Sequence, residues 1–208
     1  MVLPWDKDFL SSKTELSSKT ILYASEGQNV NNVSRSIVKK ILGNIDSKDY
    51  LNLPLEEIAS QNFIFLYPKD KSVIDIDQIR DSFKYLFLKS NSKRLLYLEN
   101  IERIETRTFN TLLKFSEEAD KNMIICMSTN NINIVPKTIL SRFQKLKIPK
   151  PSNEIVKQHL INLGLNFDEQ KNDFVLQNLT LLDEDEDKNI NELFLKFDEI
   201  KNTYNVIK

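Results

Sequence analysis

Four short, nearly continuous apolar runs punctuate the sequence, at residues 20–24 (TILYA), 62–67 (NFIFLY), 94–98 (RLLYL) and 123–127 (MIICM). Each has the length of a strand, and none alternates between apolar and polar side chains. Unbroken hydrophobicity at that length marks a strand covered on both faces, as in a parallel sheet whose crossover helices pack on either side. A fifth, more polar candidate follows at residues 143–148 (FQKLKI). Between the runs lie amphipathic stretches at 30–42, 76–88 and 106–119, each long enough to carry the chain over one parallel connection. In the second of these, Ile76, Ile79, Phe83, Leu86 and Phe87 recur at intervals of three and four, which builds one apolar face. The order of runs and stretches predicts an α/β fold, an open parallel sheet with flanking helices, over residues 20–148.

At residues 148–151 the sequence I-P-K-P disfavours helix and marks a connector. It divides the chain into an α/β domain (1–150) and a small helical domain (151–208), with helical patterns at 152–166, 168–181 and 189–204. A Ser-Asn-Glu start suits helix capping at the first of these. The whole chain is nearly neutral, with 29 basic and 30 acidic residues, so net charge gives no argument for nucleic acid or membrane binding. Locally the balance shifts: residues 168–200 carry 11 acidic and 3 basic side chains. The DEDED run at 183–187 reads as a solvated loop. Residues 137–150 hold Lys137, Arg142, Lys145, Lys147 and Lys150 without an acid. One cysteine and one histidine exclude a disulfide framework and any zinc site built on several cysteines, so no metal is expected. No stretch approaches 18 apolar residues and no signal peptide opens the chain, so a cytoplasmic protein without a membrane partner is expected.

Doubly wound sheets bind ligands at the carboxyl ends of their strands, so a site is expected there. Only three glycines occur in 208 residues, Gly27, Gly43 and Gly164, too far apart for a phosphate loop or a dinucleotide fingerprint of the usual spacing. After the first strand, Gly27 and Ser34 match the first glycine and final hydroxyl of G-x-x-x-x-G-K-[ST], but Asn32 replaces the second glycine and Val33 the lysine. A valine supplies no counter-charge to phosphate. Alone, Gly27 and Ser34 read as a turn glycine and a helix-start serine. The third strand ends at Glu99-Asn100, where nucleotide hydrolases hold a magnesium-binding aspartate, often beside a glutamate that activates water. Asn100 cannot act as a general base. The fourth strand leads into Ser128-Thr129-Asn130-Asn131, and Ser141-Arg142 stands just before the fifth, which opens at Phe143. Arg142 alone reads as a surface ion pair; its planar five-donor fork would also suit a neighbour's phosphate.

Taken together, residues 74–151 resemble the bacterial DNA polymerase III clamp-loader subunits of the AAA+ class, with a delta-prime-like, degenerate phosphate loop. The matching stretches are IDQIR (76–80), NTLLK (110–114) followed by Glu117-Glu118, STNN (128–131) and PKTILSRF (136–143). The resemblance implies a RecA-like sheet followed by a lid-like domain of three helices. It implies a non-hydrolysing subunit, without catalysis or cofactor of its own, that helps load the sliding clamp on primed DNA. In such a subunit Ser141 and Arg142 form the element that reaches in trans into a neighbour's ATP site, while Gly27, Asn32, Val33, Ser34, Glu99, Asn100 and Thr129 mark a cradle that has lost its nucleotide. The implied partners are the other loader subunits, then the sliding clamp, then primed DNA, to which the basic residues of 137–150 could add salt-sensitive backbone contacts. The collar-forming third domain of such subunits would begin about where the sequence stops, so a collar is expected to be absent. Two alternatives remain: a shortened AAA+-like protein-binding module outside the loader, and a weak ATPase that uses Glu99 with Thr129.

Overall fold

The computed structural model describes residues 3, 5–13, 15–25, 27–68, 73–74, 76–86, 92–164, 169–179, 192, 194 and 195. Five strands, β1 (Lys19–Tyr23), β2 (Phe63–Leu66), β3 (Arg94–Leu98), β4 (Met123–Thr129) and β5 (Gln144–Lys147), form one sheet in the order β2-β3-β4-β1-β5. Every pairing is parallel. All five runs picked out in the sequence are therefore strands, with ends that differ by one or two residues.

The register explains why the runs are continuous. Ile21, Leu96, Leu98, Ile125 and Met127 face one apolar cluster, which the helices α3 (Ile76–Leu86), α4 (Thr106–Glu118) and α5 (Lys137–Leu140) cover. Leu22, Leu95, Tyr97, Ile124 and Cys126 face the other, beneath α2 (Val30–Asp46) and α1 (Asp6–Ser12). Successive side chains point to opposite faces, and both faces are dry, so no polar alternation survives in the central strands. Full burial of each such aliphatic side chain stabilises the fold by roughly 1.5–3 kcal/mol. At the β5 edge only Leu146 is partly buried, between exposed Lys145 and Lys147; lysines on an edge strand discourage pairing with another sheet.

Two helices depart from expectation. Helix α1 has no periodic apolar stripe; it docks on α2, where Lys40 Nζ donates to the Leu10 carbonyl at 3.2 Å. Helix α2 runs through Gly43 to Asp46 and ends on Ser47 in the left-handed region (φ 54°). Packing of Ile41, Leu42 and Ile45 outweighs the roughly 1 kcal/mol that a glycine costs a helix interior.

Beyond the connector, Ser152 caps α6 (Asn153–Asn162) by accepting from the Ile155 amide, and α7 (Glu169–Gln177) follows. Val156, Leu160, Val175, Leu176 and Leu179 form a third apolar cluster together with Leu3 and Trp5. The start of the chain thus shares a core with the C-terminal helices, although it precedes the whole sheet in sequence. The DEDED run and most of the 189–204 pattern lie outside the described residues. Among the described residues no helix is long and apolar enough to cross a membrane.

After β1 the chain crosses to β2 on one side of the sheet, and after β4 it crosses to β5 on the other. The connections diverge between β1 and β4. Such a switch point opens a crevice above the carboxyl ends of the strands, and the candidate positions gather there.

Candidate functional site

The crevice is filled by the chain's own polar side chains. The first free amides of α2 would ordinarily offer an anion site. Here the Val30 amide donates to Asn130 Oδ1 at 3.1 Å, and the Asn31 amide to Asn29 Oδ1 at 2.9 Å. Asn31 also bridges the two neighbouring strand ends: its Nδ2 donates to Asn100 Oδ1 at 3.0 Å, and its Oδ1 accepts from Ser128 Oγ at 3.4 Å. Asn100 sits in the left-handed region at φ 55°, a conformation that asparagine tolerates better than most residues. Thr129 is fully buried and its hydroxyl accepts from the Asn131 amide, within β4 itself rather than after it. Asn32 sits one helical turn before Ser36, whose hydroxyl donates to its carbonyl.

Deeper in the crevice, Glu99 is 3% exposed and held by Arg35 in a two-point fork, Nε to Oε2 at 2.6 Å and Nη2 to Oε1 at 2.7 Å. Arg35 also reaches Glu56 at 3.0 Å and lies over the Phe65 ring at 5.5 Å. The hydrogen bond to Glu99 pushes the guanidinium pKa further up, against the opposing pull of burial. The Tyr97 hydroxyl joins the Ser34 hydroxyl at 2.6 Å and that of Ser128 at 2.9 Å, and donates to Glu99 at 3.3 Å. Complete burial, reinforced by the charge of Glu99, raises the Tyr97 pKa well above its ordinary value and keeps the phenol neutral. Every polar group in this cluster has a partner, as a buried network requires.

The turn after β1 is closed from outside. Gln28 accepts from the Ser25 amide at 3.1 Å and donates to the Pro149 carbonyl at 3.0 Å, which ties the turn to the connector. Gly27 has φ +81°, and a Cβ there would lie 1.9 Å from the Gln177 carbonyl oxygen at the end of α7. The negative end of a helix therefore meets the turn where a phosphate loop would present its amides. Val33 is 3% exposed and lines, with Leu3, Trp5 and Leu179, a cavity of about 10 Å³, room for about one water.

Ser141 and Arg142 lie well away from this crevice, on the surface between α5 and β5. Arg142 donates from Nε to Glu117 Oε1 at 2.8 Å and from Nη1 to the Thr138 carbonyl at 3.0 Å, with Ser141 Oγ at 3.4 Å. Its side chain is 41% exposed. The ion pair expected of Arg142 in isolation is present, and the guanidinium is presented to solvent.

The structure thus brings Ser34, Glu99 and Asn100 into one network, sets Thr129 in β4 at its edge, and keeps Arg142 apart. Arg35, Tyr97, Gln28 and Asn31 escaped the sequence reading. Arg35 carried one signal, as one of only 6 arginines beside 23 lysines. Tyr97 carried none, since within an apolar run its ring reads as core.

A family model for the DNA polymerase III delta subunit matches residues 11–152. Among curated relatives, a DNA polymerase III subunit gamma of Buchnera aphidicola subsp. Baizongia pistaciae is 33% identical over 105 residues, covering 48% of this chain and 28% of that protein. An uncharacterised protein of Mycoplasma pneumoniae is 37% identical over 62 residues, covering 30% of this chain and 24% of that protein. The chain spans less than a third of the length of these relatives. Among solved structures, a Thermotoga maritima DNA polymerase III gamma subunit-related protein superposes with a TM-score of 0.49 at 17% identity, over 83% of this chain and 57% of that one. The Thermotoga maritima RuvB Holliday junction branch migration motor gives 0.44 at 12% identity, over 82% and 54%. With the family model matching well over half of its residues, the chain belongs to the DNA polymerase III delta subunit family.

Proposed function

We propose that this chain is a delta-prime-like clamp-loader subunit that does not hydrolyse ATP itself and offers Arg142 to the ATP site of a neighbouring subunit. The observation that carries the reading is the Arg35–Glu99 fork. A nucleotide hydrolase needs a carboxylate at the end of this strand free to hold magnesium or activate water. Here the Glu99 charge is already neutralised by an arginine. Nucleotide entry would also require the α2 amides to leave Asn130 and Asn29, and α7 to leave Gly27. Each broken hydrogen bond costs roughly 1 kcal/mol, and the buried pair costs more. Tight ATP binding is not expected of such a site, and the weak ATPase alternative built on Glu99 loses its support.

Arg142 suits the second half of the reading. Its bonds to Glu117 and the Thr138 carbonyl use Nε and Nη1 and leave Nη2 without a partner among the described residues, so the guanidinium can take up a further anion without giving up Glu117. Arginine fingers supplied to a phosphoryl-transfer site are worth roughly 10³–10⁵ in rate. The partners of this reading are the other loader subunits, the sliding clamp and primed DNA. In a loader reconstituted with its ATP-hydrolysing subunits, Arg142→Ala should lower DNA-stimulated ATP turnover by about 10² or more while the subunit still assembles. Unchanged turnover would remove the finger. Failure of the wild-type chain to co-purify with those subunits would favour a protein-binding module outside the loader.

A further inference from the structure

We infer that Glu117 is a positioning residue for Arg142, holding the guanidinium so that one nitrogen faces outward toward a neighbour's triphosphate. The inference rests on the finger reading of Arg142 and adds a second residue to it. Three observations carry it. The Nε of Arg142 is bound to Glu117 on α4, and its Nη1 to the Thr138 carbonyl on α5. Two separate elements therefore fix the plane of the guanidinium. Nη2 makes no hydrogen bond among the described residues, and the side chain is 41% exposed. The free N–H groups are thus those at the outward end of an already oriented fork.

The physical advantage is orientation before the partner arrives. A long arginine side chain has many rotamers, and that freedom is lost when it is fixed against a phosphate. A finger anchored at Nε and Nη1 has lost most of that freedom already. Positioning of this kind acts on the rate, because misplacement of a reacting or charge-stabilising group by about 1 Å can cost 10² in turnover. The anchor must accept a hydrogen bond at the Oε1 position; a full negative charge there is not required. That separates positioning from mere charge balance. A glutamine can still accept from Nε, whereas an alanine cannot.

The test uses the reconstituted loader. Glu117 is half exposed, so neither substitution should unfold α4, and assembly checks this directly. Glu117→Ala should lower kcat for ATP by about 5- to 10-fold with KM unchanged. Glu117→Gln should restore at least half of the wild-type rate. In the Arg142→Ala background, Glu117→Ala should change nothing further, since the residue acts only through the arginine. If Glu117→Ala leaves kcat unchanged or raises it while Arg142→Ala lowers it, the positioning role is overturned and the finger stands. Failure of Glu117→Gln to restore activity also overturns it, by assigning the effect to charge. If Arg142→Ala is itself silent, the finger reading falls first and the inference with it.

Discussion

Tyr97 shows at the scale of one residue how the crevice depends on neutrality. Its hydroxyl is the hub for Ser34, Ser128 and Glu99, and burial together with the Glu99 charge disfavours the phenolate. A folded-state pKa above the unfolded value of 10.0 gives a stability contribution that is complete below pH 10 and lost as pH rises beyond it. Tyr97→Phe should therefore cost about 1–2 kcal/mol near neutral pH, because two buried hydroxyls lose a partner. It should also flatten the decline of stability above pH 10. Urea titrations at pH 7 and pH 11 check both effects, and an alkaline decline as steep in Tyr97→Phe as in the wild type would contradict the assignment. The network around Tyr97 was only partly legible in the sequence. Ser34, Glu99 and Asn100 announced themselves by spacing from Gly27 and by lying at a strand end. Arg35 and Asn31 did not, because a partner across 64 or 69 residues leaves no periodic mark.

Among elements, the strands were legible and the docking of helices was not. A central parallel strand must be apolar on both faces, so its sequence declares it wherever the fold places it. Helix α1 has no such obligation, since most of its surface is solvated and its position depends on α2. The contact between α7 and the turn after β1 is likewise tertiary, and two glycines test it. Gly27 and Gly164 both have positive φ, +81° and +73°, but an added Cβ meets the Gln177 carbonyl at the first and nothing within 4 Å at the second. Gly164→Ala should cost about 1–2 kcal/mol, the cost of a left-handed backbone alone. Gly27→Ala should cost more and should speed amide hydrogen exchange across α7, since backbone rather than a flexible side chain stands in the way. Equal costs, with α7 protection unchanged, would show that the helix end does not press on the turn.

For the whole molecule, the expected consequence is a stability indifferent to nucleotide. A ligand present at 1,000 times its Kd stabilises a folded chain by about 4.1 kcal/mol, enough to raise Tm by several degrees at this size. Thermal unfolding of this chain in millimolar MgATP should match that in MgCl2 alone, and a clear rise in Tm would mean that the crevice opens. The sequence by itself determined the sheet and its crossovers, because continuous apolar strands and amphipathic connections are local patterns dictated by burial on two faces. It also showed what the turn after β1 lacks, since Asn32 and Val33 cannot do the work of a glycine and a lysine. Only the tertiary structure decided what stands there instead: an arginine closing on Glu99, asparagines occupying the helix amides, and the end of α7 against Gly27. Those contacts join residues far apart in the chain, and hydrogen bonds between distant partners depend on where the backbone has carried them.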